Sequence, residues 1–83
     1  MGEKGWWWKR EQILTMKDFE TLKDALDYMF RIAEDDYFME RIEAISIYTS
    51  NNKIRVLVRF CAATDETIRQ FLQVHGSAKV ISL

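Results

Sequence analysis

Glu43-Ala44-Ile45-Ser46-Ile47-Tyr48-Thr49-Ser50-Asn51-Asn52-Lys53-Ile54-Arg55-Val56-Leu57-Val58-Arg59-Phe60 is the stretch that decides the fold. Ile54, Val56, Val58 and Phe60 alternate with Arg55, Leu57 and Arg59, the pattern of a strand buried on one face. Residues 43–49 are also strand-like. Asn tolerates positive φ, so Asn51-Asn52 suits a two-residue type I′ turn. A hairpin over 42–60 follows, and the turn sets its register. Thr49 pairs with Ile54, Ile47 with Val56 and Ile45 with Val58 on one face. Tyr48 pairs with Arg55, Ser46 with Leu57 and Ala44 with Arg59 on the other. A sheet covered on both faces would not carry charges at 55 and 59, so one face is expected to be open.

Upstream, the spacing predicts a helix over 17–34. Phe19, Leu22, Leu26, Met29, Phe30 and Ala33 form one apolar stripe of period 3.6. Thr15 with Asp18 offers an N-cap, and Glu34-Asp35-Asp36 should end the helix. Downstream, a helix is expected over 65–75, capped by Thr64 or Asp65. Ile68, Phe71 and Leu72 are its buried stripe, and Gly76 stops it. A terminal strand is expected over 78–83. A hairpin and a terminal strand need further partners, and residues 5–15 are the candidate for a fourth strand.

The order strand, helix, strand, strand, helix, strand predicts an α+β fold: a two-layer ferredoxin-like βαββαβ sandwich, with a four-stranded antiparallel sheet and two helices on one face. The fourth strand is expected at an edge and the third in the centre. The first is reckoned both with the fourth at an edge and with the third in the centre, placements that conflict.

Composition excludes several classes. Eighty-three residues make a single domain, 1–83. With 48% hydrophobic residues and 30% charged, disorder is not expected. No apolar run approaches the ~20 residues of a membrane helix, so no membrane span is expected. One Cys and one His exclude a disulfide framework and a multi-His or multi-Cys zinc site. The net charge of −1 is not that of a strongly basic DNA binder. No secretory signal is read at the start, so a cytoplasmic protein with a free thiol is expected. With no linker and no tail in view, the chain is expected to be a self-contained small gene product.

The open face is expected to carry Lys53, Arg55, Arg59, Tyr48, Leu57, Ser46 and Ala44. Residues 1–42 hold seven Lys/Arg and ten Asp/Glu, whereas residues 43–83 hold five and three. Acid therefore gathers near the first helix and base near the hairpin. Lys53-Ile54-Arg55-Val56-Leu57-Val58-Arg59-Phe60 resembles the third-strand signature of the RNA recognition motif in its basic start, its Val at the sixth place and its Phe at the eighth. That resemblance implies single-stranded nucleic-acid binding on the open face. Ile54 stands where the motif has glycine, and Arg55 and Leu57 stand where it has stacking aromatics. The plainer reading is that the arginines keep an open sheet soluble.

Trp6, Trp7 and Trp8 form the second feature. In a strand the middle one points away from its neighbours, so at least one should leave the core. They are read either as an anchor and lid over the open face or as a partner contact. Lys4, Lys9 and Arg10 beside them would suit an acidic partner, and a homodimer through this edge is one choice. Glu34-Asp35-Asp36 reads as a solvated helix end, because the spacing and turn glycine of a Ca²⁺ loop are missing. Cys61 is expected to be packed or half-buried. His75 is expected as a cap or dipole partner at a helix C-terminus. No Cys-x-x-Cys follows the first strand, residues 13–18 hold neither Gly nor Arg, and no phosphate-cradling loop is present. No cofactor, metal or catalytic residue is therefore assigned.

The expectation is a small non-catalytic macromolecular interaction module, such as a phage or mobile-element inhibitor or regulator that binds a host protein. RNA or single-stranded nucleic-acid binding through the open face is the alternative. The residues expected to bind are Trp6, Trp7, Trp8, Tyr48, Lys53, Arg55, Leu57 and Arg59.

Overall fold

A computed structural model describes residues 12–61 and 63–82. Trp6, Trp7 and Trp8, and the part of the expected first strand that precedes residue 12, lie outside the described residues.

The hairpin forms as its alternation requires. β2 (Ile42–Ser50) and β3 (Lys53–Phe60) pair antiparallel, with Thr49 opposite Ile54, Ile47 opposite Val56 and Ile45 opposite Val58. Asn51 and Asn52 take φ of 53° and 66°, the left-handed pair that a type I′ turn needs. One register irregularity, between Ile42 and Ala44, bends the start of β2.

The first strand lies later than expected. β1 is Ile13–Phe19, where the sequence pattern put the end of a strand and the start of a helix. Phe19 and Asp18 are strand residues, and Thr15 is no helix cap. Thr15 is buried at 1% exposure, opposite Val58. The helix α1 spans Leu22–Ala33, capped by Thr21, whose hydroxyl accepts from the Asp24 N–H at 3.2 Å. It ends at Glu34, among the acids expected to stop it. A short helix, α2 (Asp36–Met39), follows and had no counterpart in the sequence reading. α3 spans Asp65–His75, capped by Thr64 and stopped at Gly76, and β4 spans Lys79–Ser82. Gly76 has φ of 101°, a backbone conformation that side-chain-bearing residues rarely adopt, so glycine is needed there.

The sheet order is β2-β3-β1-β4, with every pair antiparallel. β1 is therefore central beside β3, and its expected edge place is not realised. The edges are β2 and β4.

Val56, Val58, Phe60 and Ile13 from the sheet pack against Ala25, Tyr28, Ile32, Phe38, Ile68 and Phe71. All three helices contribute to this one cluster, so they cover the same sheet face. Edge-on ring contacts of Phe71 with Phe38 and Phe60 hold its centre. The buried face of α1 differs from the expected one. Ala25, Tyr28 and Ile32 point inward, while Leu22 and Phe30 are each 55% exposed. Counting the stripe from Phe19, which belongs to β1, rotated the predicted face away from the true one.

Candidate functional site

The antiparallel register builds the open face in rows. One row runs Ala44, Arg59, Leu14 and Ile81; the next runs Ser46, Leu57, Met16 and Lys79; a third holds Tyr48, Arg55 and Asp18. Leu14 and Met16 of β1 and Leu57 of β3 are half-buried on the two central strands, and Ile81 of the edge strand β4, paired with Leu14, is half-buried beside them. Arg59, Lys79 and Tyr48 are exposed around them.

Sequence reasoning placed Tyr48, Arg55, Leu57 and Arg59 on one face, and the structure brings them together there. It missed Leu14, Met16, Lys79 and Ile81. These come from β1 and β4, whose alignment with β3 is set by long-range pairing and not by any local turn.

The electrostatics of the face are less basic than the sequence suggests. The Arg55 Nε and guanidinium nitrogen donate to the two Asp18 oxygens at 2.8 and 3.1 Å, a bidentate pair across β3 and β1. Those hydrogen bonds hold the Asp18 carboxyl below its usual range and push the Arg55 guanidinium up. Lys53 donates to one oxygen of Glu20, just past β1, and that carboxylate raises the Lys53 amine. Arg59 and Lys79 have no carboxylate partner among the described residues. Among the described residues, the free positive charge of the face thus rests on Arg59 and Lys79.

The opposite layer holds a different feature. Lys17, on the covered face of β1, donates to the Ser77 carbonyl at 2.9 Å and lies over the Phe19 and Tyr28 rings. With Asp24, Arg31 and His75 it lines a cleft of about 280 Å³ between α1 and the end of α3. Burial pushes the Tyr28 phenol up to about 12. His75 stands at the α3 C-terminus as expected, but its side chain is only 6% exposed and its Nε2 lies 3.0 Å from Asp35 Oδ2. Asp35 is therefore tied to α3, which corrects its reading as a freely solvated helix end.

Cys61 is exposed, against the expectation of a packed thiol. It follows Phe60, the last inward residue of β3, and its N–H donates to the Arg41 carbonyl at 2.8 Å. Among the described residues, no group of three His, Cys, Asp or Glu side chains could hold a metal ion. No helix among them is long and apolar enough to cross a membrane. Comparison with known proteins finds no matching family model, no matching curated protein and no matching solved structure.

Proposed function

We propose that the chain is a protein-binding module whose recognition surface is the open face of the sheet. The observation that carries this reading is the apolar patch Leu14, Met16, Leu57 and Ile81, flanked by the exposed Arg59, Lys79 and Tyr48. An apolar core inside a charged rim is the usual anatomy of a protein interface. The complementary partner presents an apolar knob flanked by carboxylates.

A base-stacking surface would need flat rings on the two central strands. Those positions hold Leu14, Met16, Arg55 and Leu57, and Arg55 is committed to Asp18. Nucleic-acid binding is accordingly the weaker reading of this face. A small inhibitor or regulator works through a surface of this kind.

The test compares resins carrying the wild-type chain, Leu57→Asp, Arg59→Glu and the helix-side control Val74→Glu, at an exposed position of α3, in nuclease-treated lysate. A protein held by the wild type and the control but lost from both sheet variants is the expected result. A partner held equally by all four contradicts the proposal, as does capture that disappears with nuclease.

A further inference from the structure

Among the described residues, β2 is the unguarded edge of the sheet. Natural edges are protected by Lys, Pro, short length or bulges. β4 is four residues long and begins with Lys79. β2 runs nine residues, and after its irregularity at Ile42/Ala44 the stretch Ala44–Ser50 holds no charge and no Pro. In a two-residue hairpin the residues flanking the turn, here Ser50 and Lys53, form a hydrogen-bonded pair. Ser50, Tyr48, Ser46 and Ala44 therefore direct their backbone groups to β3. Thr49, Ile47 and Ile45 direct theirs outward, where no described residue meets them.

The side wall above this edge is apolar. Val56 and Val58 on β3 are 1% exposed, yet their β2 neighbours Ile47 and Ile45 are only half-buried. At ~100° per residue, the flanks of α1 can be told apart. Asp24, Tyr28 and Arg31 line the cleft with Lys17 of β1 and His75, on the β1 side. Leu22, Leu26 and Met29 occupy the opposite flank, which faces the β2 side. Phe30 continues it upward, and Leu22 and Phe30 are each 55% exposed. The apolar flank of α1 thus points to the side of the sheet on which the open β2 edge lies.

We propose that the β2 edge and this flank of α1 form the interface of a two-fold dimer in which two four-stranded sheets join into one of eight strands. A second copy is the occupant because the edge is its own complement. With the axis at Ile47, Ile45 of each copy meets Thr49 of the other, and Ser46 meets Tyr48. Seven uncharged residues set no like charges against one another, and Glu43 falls opposite Asn51. The second copy also brings an identical apolar flank to the same side of the sheet. The open faces of both copies stay clear, so the dimer is independent of the protein-binding reading and doubles its surface.

Sedimentation of the full chain up to about 1 mM reads this directly, since even a weak dimer of millimolar affinity registers there. A dimer is expected. Thr49→Pro removes one outward N–H per copy without touching the β2–β3 ladder. It should weaken the dimer about thirty-fold, from two lost hydrogen bonds near 1 kcal/mol each. Leu22→Glu places an acid in the first turn of α1, where the helix dipole favours it, and should also favour monomer while helicity is kept. In a Cys61→Ser background, Ser46→Cys with Tyr48→Cys should cross-link two copies on oxidation. Facing positions of this type lie about 4.5 Å apart at Cα, within disulfide reach. A monomer throughout this range overturns the proposal. So does a dimer that neither variant weakens, or one that the paired cysteines fail to cross-link.

Discussion

Asp18 and Arg55 face each other across the two central strands, and their ion pair makes the domain acid-sensitive in a defined direction. The hydrogen bonds from Arg55 depress the Asp18 carboxyl in the folded state. A depressed folded value stabilises above the ordinary aspartate value of about 3.9 and is lost as pH falls through the folded one. Asp18→Asn should therefore flatten the acid limb of the stability profile while leaving the neutral region less changed. Acid titrations followed by circular dichroism that superimpose for both proteins would contradict the pair's role. Two other side chains carry the opposite expectation. The hydroxyls of Thr15 and Tyr28 are buried with no hydrogen-bond partner among the described residues. A buried hydroxyl without a partner costs about 1–3 kcal/mol. Thr15→Val and Tyr28→Phe should melt at or above the wild-type temperature. A drop worth about 1 kcal/mol or more would mean that a hydrogen bond had been lost.

At the scale of elements, the helix starts are the testable points. Thr21 caps α1 and Thr64 caps α3, each accepting from the backbone N–H three residues on. Replacing either by Ala should destabilise by about 1 kcal/mol, measured by denaturant unfolding. An unchanged Thr21→Ala variant would place the helix start elsewhere. The same elements show what is legible in a single chain. The hairpin was readable to the residue because strict alternation and a turn with two Asn residues fix its register locally. α3 was readable because a Thr cap and a stop glycine bracket it. β1 was not, because it reverses the usual pattern. Thr15 and Lys17 lie on the covered face and Leu14 and Met16 on the open one. Its last residues, Asp18 and Phe19, also continue the helical spacing of α1, and that overlap displaced both the helix start and its buried face. α2 is a single turn whose buried residue, Phe38, offers no periodicity to read.

At the scale of the molecule, half of the open face could be read and half could not. Tyr48, Leu57 and Arg59 were found because the hairpin alone orients them. Leu14, Met16, Lys79 and Ile81 join the face only through pairing of β1 with β3 and β4, residues far apart in the chain. The charge reading needed the fold as well, since Asp18 and Glu20 neutralise Arg55 and Lys53 only once β1 lies beside β3. Both proposed surfaces depend on a sheet covered by helices on one side and, among the described residues, uncovered on the other. Equilibrium unfolding of Val56→Asp beside Leu57→Asp tests that dependence most directly. Val56 is 1% exposed among the helices, and an uncompensated buried carboxylate should cost several kcal/mol and unfold the domain. Leu57→Asp, one residue along and on the free face, should remain folded within about 1 kcal/mol of wild type. Equal destabilisation by the two would contradict the one-sided sheet and every surface built on it.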